Sequence, residues 1–202
     1  MAKNYIILSD FPKPLIKSIR EEYLGANTNN EKLFTKVILD EFQTYILVHR
    51  PHNLYNMMDK VIKLPYQSIM FLYSAPNAGM GPIHIDSSRS SSINIPVDLD
   101  YNNTCFFIAH SPCTEIPPDE NTNEGSKRYA YEPENYDFYN VREPILLNTK
   151  APHSFFVHSD QPRILMSISF DQHYEDLRHN CELSPNYIKS RGRVATLGKE
   201  HR

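Results

Sequence analysis

The spacing of hydrophobic and polar positions changes character near Tyr66. Before it, Asn4 to Ser9 reads as a short strand. Leu15, Ile16, Ile19 and Tyr23 then recur at helical spacing up to Gly25, a natural helix stop. A polar loop follows at 26–30. Leu33 to Phe42 fits helix or strand equally, Thr44 to Val48 leans to strand, and Leu54 to Ile62 predicts a second helix that ends before Pro65. Beyond Tyr66 the period falls to two. Strands are predicted at 68–73, 93–97, 104–109, 128–131, 145–148, 154–158 and 163–170, separated by Gly-, Pro-, Asn- and Ser-rich turns. Helices first and many short strands afterwards predict an α+β chain, mainly β, built as an antiparallel jelly roll with helical support.

Within this pattern, Gly81-Pro82-Ile83-His84-Ile85-Asp86 carries the chemistry. On a strand, His84 and Asp86 would share one face, one pleat apart. His153 follows Pro152 at the head of a later strand, and Arg163 stands ten residues on. Two imidazoles and one carboxylate, with three positions left open, suit non-haem Fe(II) that must also bind a co-substrate and O2. Along 163–170, Arg163, Leu165, Ser167 and Ser169 alternate with Ile164, Met166, Ile168 and Phe170. The apolar set should pack on the helices. The set headed by Arg163 should face the barrel, where a buried guanidinium needs an anion such as a dicarboxylic co-substrate. The same parity groups His153 with Phe155 and Val157.

Composition narrows the class. The chain has 202 residues, 40% hydrophobic and 22% charged, which predicts a soluble globular protein. A net charge of -3 gives no global signal for nucleic acid or membrane, and no basic groove interleaved with aromatics appears outside the tail. Three cysteines at wide spacing (Cys105, Cys113, Cys181) read as free thiols of a reducing compartment. The apolar run at the N-terminus is too short for a signal peptide, and no window approaches a membrane span, so a cytoplasmic location is expected. One domain is expected over 1–182, with helical support at about 1–65, the β core at about 66–171, and a basic tail at 183–202. The stretch 112–128, rich in Pro, Asn, Asp and Glu, is expected to form a mobile covering loop.

His84-x-Asp86, then His153, then Arg163 ten residues later, resemble the Fe(II)- and 2-oxoglutarate-dependent oxygenases. The runs 144–153 and 163–168 resemble their aspartyl/asparaginyl β-hydroxylase-like and prolyl-hydroxylase-like branches. The intact triad is closer to phage and marine-bacterial members. The likeness covers about 66–171. It implies a double-stranded β-helix, Fe(II) held by His84, Asp86 and His153, and 2-oxoglutarate bound through its 1-carboxylate and 2-oxo groups, with Arg163 on the distal carboxylate. It further implies release of succinate and CO2 as O2 is consumed and a substrate C–H bond is hydroxylated. Peptidyl side chains come first as substrate, then free amino acids or small metabolites.

Where many members place Ser two residues after the arginine, this chain has Leu165, so Ser167 or a tyrosine is expected to share the distal carboxylate. Tyr73 is a candidate donor to the co-substrate or a core tyrosine. Asn94 is a candidate contact to co-substrate or substrate, or a structural amide. Arg89 either meets the 1-carboxylate or lies in solvent. Two rival functions remain: a cupin-type metalloenzyme without 2-oxoglutarate, which leaves Arg163 without a role, and a non-catalytic jelly-roll binding module, which has no need of convergent metal ligands. Nothing in the sequence sets the oligomeric state.

Overall fold

The structure is a computed structural model that describes residues 3–9, 11–26, 33–38, 43–62, 64–97, 104–117, 127–140 and 142–183. In chain order its elements are β1 (Tyr5–Ile7), α1 (Lys13–Ala26), β2 (Phe34–Ile38), β3 (Gln43–Val48), α2 (Asn53–Val61), β4 (Ser68–Ser74), β5 (Gly79–Met80) and β6 (Ser91–Pro96). There follow β7 (Thr104–Ala109), β8 (Glu115–Ile116), β9 (Arg128–Tyr129), β10 (Tyr136–Asn140), β11 (Ile145–Asn148), β12 (His153–Val157), β13 (Arg163–Phe170) and α3 (Tyr174–Leu183). The major sheet runs β1-β11-β6-β13-β4-β3-β2 and the minor sheet β10-β7-β12-β5, every pairing antiparallel. Two antiparallel sheets closing on each other form a double-stranded β-helix with helices on one outer face.

The helices form where the periodicity predicts. On α1, Ile16, Ile19 and Tyr23 are buried; on α2, Leu54, Tyr55, Met58 and Val61. The α2 N-terminus is capped by His52, whose Nδ1 accepts from the Leu54 N–H at 3.1 Å. These faces close over Ile46, Phe71, Ile93, Leu146, Met166, Ile168 and Phe170, one parity of the major sheet. The other parity looks inward. There Leu165, Ile145 and Leu147 meet Phe106, Ile108 and Ala151, with Leu72 and Phe155 packed against them. β13 therefore buries both faces, as its alternation predicts.

Some elements differ from expectation. The 33–42 run resolves to strand at Phe34–Ile38. β10 and α3 were not predicted, and Tyr174 and Leu177 of α3 are buried under the major sheet. Within the expected covering loop, Glu115 pairs with Tyr129 and Ile116 with Arg128; residues 118–126 and, from 184 on, the basic tail lie outside the described residues. Cys113 is a free thiol. No helix among the described residues is long and apolar enough to cross a membrane.

Candidate metal centre

Gly79, at φ +74°, turns the chain out of the β4–β5 connection and back along β12. Gly81 N–H then donates to Phe155 O at 2.9 Å, and a Cβ at Gly81 would stand only 3.1 Å from the Phe155 ring. The expected strand through His84 and Asp86 does not form. Only His84 makes a β-bridge, to His153 on one side and Arg128 on the other. His84 and His153 exchange both backbone hydrogen bonds, at 3.0 and 2.9 Å. Residues paired in this way project to the same face, so this pair, rather than a pleat repeat, brings the two rings within 4.7 Å, centroid to centroid. Asp86 is placed by its own N–H, which donates to Thr149 O at 2.9 Å.

The three side chains converge. One ligand atom from each of His84, Asp86 and His153 lies within 4.8 Å of the other two. Asp86 Oδ1 is 3.5 Å from His84 Nε2, and Oδ2 is 4.0 Å from His153 Nε2. Each ring turns Nδ1 to a carbonyl two residues earlier, His84 to Pro82 O and His153 to Ala151 O, both at 2.9 Å. A carbonyl only accepts, so in each neutral ring Nδ1 carries the proton and the Nε2 lone pair points into the site, whereas a protonated His84 ring donates its Nε2–H to Asp86. The donor set fits a divalent first-row ion. Ligand atoms on an octahedral face lie roughly 3 Å apart when bonds are near 2 Å, so small rotamer shifts suffice to close on an ion.

Burial works against charge on all three groups, and their partners decide the outcome. Burial pushes His153 down to about 4, with the neighbouring His84 acting the same way and Asp86 opposing. For His84, burial is outweighed by its hydrogen bond to Asp86 and by the Pro82 carbonyl, and its pKa is raised. Asp86 is likewise opposed by burial, yet the His84 hydrogen bond and the charges of His153 and Arg89 hold it well below the usual carboxylate range.

The other candidate residues divide by strand parity. Arg163 is buried, 3% exposed, on the inner face, with its guanidinium 4.5 Å from the centre of the Phe155 ring. Arg89 is not in solvent: its Nε donates to Asp86 Oδ2, and Nη1 donates to Ser167 Oγ at 2.7 Å and Ser169 Oγ at 3.4 Å. Ser167 in turn donates to Asn94 Oδ1 at 2.8 Å, so Asn94 faces inward with its oxygen engaged. Two expectations need correction. Ser167 is four residues from Arg163 on the same strand, about 13 Å, and cannot share a carboxylate with it. Tyr73 pairs with Ile164 and Thr44 and shares the parity of Ile69 and Phe71, which face the helices. It points away from the barrel.

Other residues, which the sequence did not single out, stand on the inner face near Arg163 and the centre. Ser74, 2% exposed, stands opposite Arg163 across the β4–β13 ladder, with Gln43 next in the row. Tyr45 pairs with Leu72, the inner parity. Its phenol pKa is raised by burial and by the charge of Asp86, with Arg89 opposing, which puts it within electrostatic reach of the centre.

No family model matches the sequence, and no curated protein does. Solved structures match in fold. The epimerase SnoN in complex with Fe3+, alpha ketoglutarate and nogalamycin RO is 12% identical, covering 82% of this chain and 77% of that one, with a TM-score of 0.53. A second SnoN structure, described as a non-heme alpha ketoglutarate dependent epimerase from nogalamycin biosynthesis, gives 12%, 82%, 77% and 0.52. A Pseudomonas putida prolyl-4-hydroxylase is 8% identical over 82% of this chain and 90% of that one, with a TM-score of 0.48. AerE from Microcystis aeruginosa is 10% identical over 69% of this chain, which spans only 46% of that protein, with a TM-score of 0.40. At such identities the SnoN likeness establishes the fold: this chain is a double-stranded β-helix of the kind on which that iron- and alpha-ketoglutarate-binding protein is built.

Proposed function

We propose that the protein is an Fe(II)- and 2-oxoglutarate-dependent oxygenase that hydroxylates a C–H bond, most naturally on a peptidyl or free amino-acid side chain. The observation that carries this is the convergence of His84 Nε2, His153 Nε2 and the Asp86 carboxylate. The SnoN complex, with Fe3+ and alpha ketoglutarate on the same fold, supports it. Bound at these residues, iron with 2-oxoglutarate and O2 supplies the oxidising chemistry, in which succinate and CO2 leave and one oxygen atom goes to the substrate.

The chain's own residues supply position and charge. The two Nδ1–carbonyl bonds fix both imidazoles with Nε2 inward. Arg163 pairs with the distal carboxylate of the co-substrate, helped by the Ser74 hydroxyl across the ladder in place of a serine two residues on. Leu165 is buried on the inner face with Leu72 and Phe155 packed against its cluster, and an apolar setting of this kind strengthens an ionic contact. A cupin-type enzyme that does not use 2-oxoglutarate has no task for Arg163.

The test is anaerobic titration of Fe(II) and then 2-oxoglutarate, followed by a weak visible charge-transfer band. Asp86→Ala should abolish metal binding and succinate production together. Arg163→Lys keeps the charge but loses the two-pronged geometry, and should weaken 2-oxoglutarate while Fe(II) binding survives. Arg163→Ala should weaken it further, tens-fold or more, given about 2–5 kcal/mol for a desolvated charge pair. Unchanged 2-oxoglutarate affinity in Arg163→Ala would make the arginine structural and remove the co-substrate from the reading. Product mass then separates hydroxylation from an epimerisation such as that named for SnoN.

A further inference from the structure

Asp86 has two oxygens, and a carboxylate can bind a cation through one or both. This matters because the open positions are few. With two histidines and a one-oxygen aspartate, three of six octahedral positions stay open; a two-oxygen aspartate leaves two. A co-substrate that chelates takes two, and O2 needs one more. Resting on the metal-centre reading above, we propose that Arg89 is a positioning residue that occupies Asp86 Oδ2 and so restricts the aspartate to a single metal-binding oxygen, Oδ1.

The contacts are those such a clasp needs. Arg89 Nε donates to Oδ2, whereas Oδ1 is the oxygen 3.5 Å from His84 Nε2. The guanidinium is anchored from behind by Ser167 and Ser169 of β13, and Ser167 is tied to Asn94 of β6. The backbone end is fixed as well: Thr149 Oγ1 donates to Arg89 O at 2.9 Å, and Thr149 O accepts from Asp86 N–H. Lys150 Nζ closes the loop by donating to Asp86 O at 2.8 Å and Ser87 O at 3.1 Å. Arg89 and Asp86 are only 12% and 14% exposed, so water competes weakly for the pair. With Nε on Asp86 and Nη1 on two serines, Arg89 does not present an open fork for a co-substrate carboxylate. A guanidinium also stays charged at any working pH, so the clasp does not titrate away.

The experiment uses Co(II) in the full chain, without co-substrate, and reads both affinity and the d–d absorption that reports the set of bound ligands. Arg89→Ala and Arg89→Gln should change the d–d spectrum, as Asp86 Oδ2 takes a position that water holds in wild type, and weaken Co(II) by about tenfold or more, the range for outer partners of metal ligands. Arg89→Lys should fall between them and wild type. Ser167→Ala, which keeps the arginine but frees its anchor, should shift both readouts less and in the same direction; it serves if the Arg89 variants do not fold. Wild-type affinity and spectrum in folded Arg89 variants would overturn the clasp. So would a rise in affinity, which would make the guanidinium a competitor of the ion. 2-Oxoglutarate is then titrated into the Co(II)-loaded variants; its loss while Co(II) affinity and spectrum match wild type would place Arg89 in the co-substrate pocket instead, and overturns the clasp too. If wild type binds no Co(II), the metal-centre reading falls and the clasp with it, a result distinct from all of these.

Discussion

The two histidines of the centre sit in one hydrogen-bonded pair yet titrate in opposite directions, because their surroundings differ. His153 is 4% exposed and flanked by the Phe106 ring, so burial dominates and its pKa falls from 6.5 to about 4. His84 is more open, and its bond to Asp86 raises it. For metal-free protein the consequence has a definite sign. The unfolded chain protonates position 153 before the folded one does, so stability present above pH 6.5 is lost as pH falls from about 6.5 toward 4. The raised pKa of His84 contributes below 6.5 and is lost as pH rises through its folded value. Between 6.5 and 4 the centre's share of the slope therefore belongs to His153, at most about 1.4 kcal/mol per pH unit, and His52 at the α2 cap, whose pKa burial also lowers, adds a slope of the same sign. Urea unfolding of metal-free protein across this window should show the sum, and His153→Phe should reduce it. A slope unchanged in His153→Phe would assign the proton to another group.

Elements, more than single side chains, bring the site together, and Gly81 shows how closely. Its backbone lies against β12, bonded to Phe155 O and accepting from Ser154 Oγ at 2.6 Å. In Gly81→Ala the new methyl would meet the Phe155 ring at 3.1 Å, and that ring stacks on Arg163. The ring must give by a few tenths of an ångström. The expected outcome is 2-oxoglutarate binding weakened several-fold with metal affinity nearly unchanged; an equal loss of both would mean that the His84–His153 ladder itself had shifted. What the sequence revealed follows the same division. The inward parity of His153, Phe155, Arg163 and Ser167 was legible because period-two alternation survives in regular strands. Convergence of His84 with His153 was legible in outcome but not in cause, since it comes from a bridge between residues 69 positions apart. Ser74 and Tyr45 were hidden because register across a sheet is a tertiary property. Tyr73 was misplaced, although its parity with Ile69 and Phe71 was there to read. α3 carried a signal too: Glu175 and Asp176 in the first turn beside Tyr174 and Leu177 at helical spacing.

At the scale of the whole molecule, the centre and the helix-covered core lie on opposite faces of the major sheet, so their contributions to stability should separate. An ion held by His84, Asp86 and His153 binds the folded chain and scarcely the unfolded one, where these residues are far apart. At a free concentration one hundred times Kd, that adds about 2.7 kcal/mol, or roughly 5–10 °C in Tm for a chain of this length. Mn(II) is the convenient probe because it does not consume 2-oxoglutarate oxidatively. Leu54 of α2, fully buried beneath the major sheet, makes the contrast. Leu54→Ala should lower stability by about 2–5 kcal/mol through lost burial and the cavity left behind. The increment from Mn(II) should stay unchanged, because distant, independent sites add. Asp86→Ala should differ in kind: it too lowers stability without metal, because Arg89 loses its partner in a shielded site, but it should leave no Mn(II) increment. Thermal unfolding of the three proteins with and without Mn(II) decides the matter. An Mn(II) shift that persists in Asp86→Ala would put the ion elsewhere, and one that vanishes in Leu54→Ala would mean that the helices and the centre form a single cooperative unit.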